Sequence, residues 1–234
     1  MTKRAEIHHQ HRSVTGGWLR PAVFGMMDGL VSNFALIAGV AGAKADSTAV
    51  SLAGLAGLVG GAFSMATGEY VSVQSQNESA NAEIEIERRE LRVNAAAEQA
   101  ELAQSYVDRG VEPGLANQVA EQISRDPDKA LSAHAMVEFG VNPSELPSPW
   151  TAAGSSFASF TVGAMIPLLP YLVGATSLLI SAVLSLAALF GAGALTAQFT
   201  SRSWIFSGTR QVLLGTFAAA VTFGVGSLFD VVTS

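Results

Sequence analysis

The chain has 234 residues and no cysteine. That excludes a disulfide scaffold and any thiolate-ligated metal site. Charge is scarce as well. Asp, Glu, Lys and Arg make up 14% of the residues, against about 25% in an ordinary soluble domain. Between Trp150 and Ser201 there is no charged residue at all. Such a chain does not read as one soluble globule, and its 49% hydrophobic content excludes disorder. No phosphate-cradling loop of the G-x-x-x-x-G-K type is present, which argues against ATP-driven pumping. Di-iron oxidase sites need Glu-x-x-His on the helices of a bundle, and none of the predicted helices carries that motif. The chain is therefore not expected to be an enzyme or to hold a catalytic cofactor. A formal net charge of −6 argues against a nucleic-acid partner.

What charge there is lies in one place. Residues 76–148 hold 14 of the 19 acidic residues and six of the 13 basic ones. Outside that segment run long apolar stretches. A helix needs about 20 apolar residues to cross the hydrocarbon core, and five stretches qualify: 21–43, 49–73, 151–173, 177–199 and 211–232. The uncharged region is too long for one crossing and breaks at Gly174-Ala175-Thr176. The predicted fold class is all-α: a five-span transmembrane helical bundle with a helical cytoplasmic insert between spans two and three. The predicted organisation is a tail over 1–19, spans one and two within 20–75, an acidic insert over 76–148, and spans three to five within 149–234. A cleavable signal peptide is not expected, because the first apolar run is long enough to span and contains Asp28. Lys3, Arg4, Arg12 and Arg20 precede span one, Arg88, Arg89 and Arg92 follow span two, and Arg202 and Arg210 separate spans four and five. The positive-inside bias puts all three groups on the cytoplasmic side, with the N-terminus and the insert.

Two carboxylates stand alone in the apolar spans. Asp28 lies about two turns into span one. A charge there is costly and faces a bundle interior or an aqueous path, so it reads either as a cation or proton site or as a polar helix–helix contact. Glu69 follows Met65 by four residues, on one helical face. A thioether beside a carboxylate suits a borderline transition metal better than Na⁺ or Mg²⁺. Glu69 can equally be a boundary charge at the end of the span. Asp230 reads as interfacial.

The insert reads as helices over 76–97, 100–109, 113–125 and 127–139, with Asp126 as an N-cap before Pro127. The first of these can extend span two. Glu87 and Glu90 are three apart, as are Glu98 and Glu101, so each pair shares a helical face. In one continuous helix the two pairs fall nearly on one face; with a turn near Asn94 they sit on neighbouring helices. Either gathers like charges that need solvent or a bound cation. The alternative is a solvated face paired by Arg88, Arg89 and Arg92. His134, Met136 and Glu138 add candidate ligands near the end of the insert. His8, His9 and His11 form a further chelating tract in the tail.

Several of these segments resemble the vacuolar iron transporter family. They are Asp28-Gly29-Leu30-Val31-Ser32 in span one and the run from Gly54 to Val73 that contains Met65-Ala66-Thr67-Gly68-Glu69-Tyr70. Glu87-Arg88-Arg89-Glu90-Leu91 and Val119-Ala120-Glu121 in the insert also fit, as does Pro167-Leu168-Leu169-Pro170 in span three. The resemblance covers nearly the whole chain. It implies a five-span homodimer in the lipid bilayer that exports Fe²⁺ or Mn²⁺ from the cytosol in exchange for protons, along a path between the subunits. It implies Asp28 and Met65 as intramembrane metal positions, with Glu69 in the same motif, and Glu87, Glu90, Glu98, Glu101 and Glu138 as ligands in the insert. Where the best-known members have methionines before the last glutamate, this chain has His134 and Ala135, with Met136 displaced. That leaves Zn²⁺ and Co²⁺ open as further bound ions. A plant or fungal member acts at the vacuole, and a bacterial one would sit in the plasma membrane. The competing expectation is a membrane-anchored metal sensor or buffer. Asp28 separates the two, because an anchor needs no buried carboxylate.

Overall fold

Where a segment is surrounded by hydrocarbon, only a helix satisfies all its backbone N–H and C=O groups internally. Each long apolar run of this chain accordingly forms one helix. The computed structural model describes residues 17–199 and 202–233. The tail histidines His8, His9 and His11 and the side chain of Asp230 lie outside what is described. Among the described residues the elements are α1 (Leu19–Gly42), α2 (Ser47–Val93), α3 (Ala95–Asp108), α4 (Pro113–Ser124), α5 (Pro127–Glu138), α6 (Pro149–Leu172), α7 (Leu178–Thr196) and α8 (Trp204–Thr233), with no strand. Five of them, α1, α2, α6, α7 and α8, are long and apolar enough to cross a membrane. The chain forms two compact units. One holds α1, the first half of α2, α6, α7 and α8; the other is residues 72–148.

In the first unit α1 packs against α6, α7 and α8. The core comprises Ile37, Leu58, Ala62, Phe160 and Leu168, with a second cluster around Phe34, Ala38 and Ala219. Leu52, Phe63, Val183, Phe217 and other large apolar side chains face outward, as a lipid solvent allows and water does not. Backbones meet directly at Gly29 and Gly163. A methyl group on Gly29 would collide with the Phe160 carbonyl, and one on Gly163 with the Met26 carbonyl. Small residues at such crossings let membrane helices approach closely. Pro167 and Pro170 lie inside α6 and remove two amides from its ladder. Neighbouring helices donate to carbonyls in that stretch: Asn33 Nδ2 to Ala164 O at 2.7 Å and Ser181 Oγ to Pro167 O at 2.6 Å. Gly174, at φ +84°, makes the turn that separates α6 from α7.

The second unit has two small cores, Ile84 with Leu131 and Ala135, and Leu102 with Ala103 and Ala120. Glu112 and Asp126 cap α4 and α5. Glu112 accepts from Gly114 N at 3.0 Å and Leu115 N at 2.9 Å, and Asp126 accepts from Asp128 N and Lys129 N. The proline after each is preset for the first helical turn.

Two boundaries differ from the sequence reading. The first break in the acidic segment falls at Asn94, not between 97 and 100. Asn94 leaves helical geometry (φ −121°, ψ 29°) while its Nδ2 donates to Glu90 Oε2 at 2.6 Å. The alanines after it are good helix formers and restart the helix at Ala95. The last helix begins at Trp204, seven residues before the expected Gln211. Arg210 is exposed on its surface and does not end it.

Candidate functional site

In the acidic unit, α2 carries Glu87 and Glu90, α3 carries Glu98 and Glu101, and α5 carries His134 and Glu138. The turn at Asn94 therefore splits the two glutamate pairs between neighbouring helices. Glu87, Glu98, His134 and Glu138 each offer one ligand atom, all within 4.8 Å of one another. His134 is 1% exposed and Glu87 6%. His134 Nδ1 lies 3.0 Å from Glu138 Oε1, 3.1 Å from Glu87 Oε1 and 3.7 Å from Glu98 Oε2. One ring N–H cannot satisfy three carboxylates. The shortfall is visible: Glu87 Oε1 is buried with no hydrogen-bond partner among the described residues. Two ligands about 2.1 Å from one ion sit at most about 4.2 Å apart, so the set has to draw inward to close around a cation.

The electrostatics agree. Burial, then the charge of Glu138, pushes the Glu87 carboxyl up to about 7, while His134 pulls it down. Glu98 is raised by burial and by Glu101, Glu138 and Glu90, again against His134. Carboxylates crowded out of water hold their protons until a cation replaces them. Glu101 lines a cleft beside His134 and Glu138, and Glu90 is occupied with Asn94. Both stand at the edge of the set. Met136 does not join it. It is two residues past His134, on a different face of α5, and 51% exposed. The local Arg pairing anticipated as the alternative is partial: Arg88 pairs with Glu85, outside the cluster.

In the membrane unit, Asp28 and Met65 line one cavity of about 230 Å³. Ser32 and Asn33 of α1, Ser64 of α2 and Phe160 of α6 complete much of its wall. Glu69, one turn beyond Met65 on α2, is half-buried and does not line it. The cavity thus offers one carboxylate, neutral oxygens and a thioether sulfur, a mixed set suited to borderline divalent ions. Asn33 was not among the residues singled out from sequence. The usable signal was a neutral amide in the interior of an apolar span.

A sequence model of the VIT family matches residues 19–227. Among curated relatives, a protein named vacuolar iron transporter from Acanthamoeba castellanii is 38% identical, over 94% of this chain and 83% of its own length. Proteins named vacuolar iron transporter 1 from Oryza sativa subsp. japonica and Arabidopsis thaliana are each 32% identical, over 93% and 92% of this chain and 88% of their own lengths.

Proposed function

The chain belongs to the VIT family, and on that premise we propose that it is a membrane iron transporter moving Fe²⁺, Mn²⁺ or both out of the cytosol in exchange for protons. The names of its relatives support iron as the cargo. The observation that carries transport, as opposed to sensing or buffering, is the cavity in the apolar unit that Asp28 and Met65 line. A domain that only anchors a metal-binding insert has no use for a carboxylate and a thioether in its spans.

In this reading the acidic unit captures the cation. Glu87, Glu98, His134 and Glu138 form its centre, with Glu90 and Glu101 raising the local negative potential. The ion then passes to Asp28 and Met65, with Glu69 as the next acidic group along α2. Two copies of the chain form the working dimer. The basic residues flanking the spans favour a cytoplasmic N-terminus and acidic unit. In a eukaryotic host the membrane is vacuolar; in a bacterium it is the plasma membrane. His134 widens the ions the acidic unit accepts to Zn²⁺ and Co²⁺, since imidazole suits both.

Uptake of Fe²⁺ into proteoliposomes carrying an inward-directed or outward-directed proton gradient tests this. The wild-type chain should give gradient-dependent flux, and Asp28→Ala should reduce it to that of protein-free vesicles. Undiminished flux in Asp28→Ala would remove the cavity from the path. Metal binding without any flux in the wild type would favour the sensor or buffer.

A further inference from the structure

Asn33 is 1% exposed, in the interior of α1, five residues after Asp28. Its Nδ2 donates to the Ala164 carbonyl at 2.7 Å. A carbonyl can only accept, so this bond fixes which end of the amide faces α6 and commits Oδ1 to the other side. Oδ1 is buried and has no hydrogen-bond partner among the described residues, and Asn33 lines the cavity of Asp28 and Met65. Across from it, α2 presents Gly57. A Cβ built there would stand 2.5 Å from Leu36 Cδ2 and 2.8 Å from Oδ1, so a side chain at this position would crowd the amide oxygen. Buried acceptors are nearly always matched to a donor. Here the hydrogen-bonded end of the amide holds the free end in position.

We infer that Asn33 Oδ1 is a ligand of the divalent cation in this cavity, beside the Asp28 carboxylate and the Met65 sulfur. The assignment rests on the transport reading above and names one more group of that site. An amide oxygen adds coordination without a second negative charge. The protein then neutralises only part of the ion's charge at this point, which suits a station the ion must leave. Carboxylate, amide and thioether together also favour Fe²⁺-like ions over Mg²⁺, which is held by oxygen and water.

Fe²⁺ uptake by the full chain in proteoliposomes, over a range of Fe²⁺ concentrations, tests it with three variants. Asn33→Leu keeps the size and removes the oxygen. Asn33→Asp keeps an oxygen and loses the donor to Ala164. Gly57→Ala, made together with Leu36→Ala because its methyl group would also meet Leu36 Cδ2, puts that group in front of Oδ1, with Leu36→Ala alone as its control. A ligand role predicts that Asn33→Leu and Gly57→Ala raise KM or lower flux by at least about tenfold, while Asn33→Asp keeps KM at or below wild type, with any loss confined to the maximal flux. If Asn33 serves only as a tie between α1 and α6, Asn33→Asp falls as far as Asn33→Leu and Gly57→Ala transports normally; that pattern overturns the inference. A single, monodisperse size-exclusion peak of the same samples in detergent shows that each variant is folded. Should Asn33→Leu fail to fold, the opposed behaviour of Asn33→Asp and Gly57→Ala still decides. Wild-type vesicles without flux would sink the transport reading and this assignment together. Full flux and unchanged KM in both Asn33→Leu and Gly57→Ala would sink this assignment alone.

Discussion

The cluster around His134 and the cavity around Asp28 differ most in how many charges they hold. The cluster gathers three carboxylates about one buried imidazole. The cavity sets a single carboxylate among neutral oxygens and a sulfur. Crowded carboxylates repel one another and raise each other's proton affinity, so a divalent ion that enters relieves several unfavourable contacts at once. A lone carboxylate has nothing of that kind to relieve. In the proposed function, the first arrangement serves capture and the second passage. Placing several charges in the spans would also carry an insertion cost of a few kcal/mol for each, and the cluster lies in the other compact unit.

The largest expected effect would break the comparison at the cavity. Asp28→Asn removes the cavity's one charge at constant size. It should abolish proteoliposome flux, by at least about 100-fold, while Co²⁺ titration of the full chain in detergent shows the acidic unit unchanged. Loss of that binding as well would mean the two sites are not separable. Next comes the cluster. Glu87→Gln or His134→Ala should weaken metal binding by about 10–100-fold, yet leave measurable flux at saturating metal. His134→Ala should cost Zn²⁺ and Co²⁺ more than Mn²⁺, because imidazole contributes least to the hardest of the three. Equal losses for all three ions would show that the ring is not a ligand.

The pH response is smaller and has two opposite signs. Glu87 is held at about 7, above its ordinary 4.5. For the metal-free fold, this raised group contributes its full stability below about pH 4.5 and loses it as the pH climbs through about 7. Hydrogen exchange over residues 84–138, corrected for intrinsic rates, should then speed up from pH 5 to 8 without metal. Metal binding runs the other way: affinity should fall from pH 8 to 6, by up to about tenfold per unit for each proton displaced. Pairing the two measurements distinguishes a buried acidic site from a solvated face, which would show neither trend. The smallest effect is at Met136, which is 51% exposed on the wrong side of α5. Met136→Ala should change metal affinity by less than about threefold, as surface substitutions do. A larger loss in a titration would place it in the site after all.

Much of this was readable from charge alone. Five helices long and apolar enough to span follow from runs that hold at most one Asp, Glu, Lys or Arg each. The glutamate pairs three apart anticipated which of those side chains share faces. Met136 sits apart from His134 because closeness in sequence is not closeness on a helix: two residues turn the side chain through about 200°. Asn33 escaped for a different reason. A neutral amide leaves no mark on a charge profile, and only the positions of Ala164 and Gly57 show that one end is tied and the other open. The early start of α8 shows the same limit, since a charged residue such as Arg210 lies on the helix surface without ending it.

The close crossing at Gly29 and Gly163 bears on how the cavity can change width. There α1 and α6 touch backbone to backbone, and Asn33 adds a hydrogen bond between them. The two helices form one stiff wall, because sliding either past the other would drive carbonyls into main chain. The first half of α2 meets that wall differently, through the side chains of Ile37 and Leu168 at Gly54 and of Phe160 at Gly61. Side chains can change rotamer where main chain cannot yield. Any breathing of the cavity therefore falls first to α2, which carries Met65 and Gly57 with it, while Asp28 and Asn33 stay as the fixed jaw of the vice.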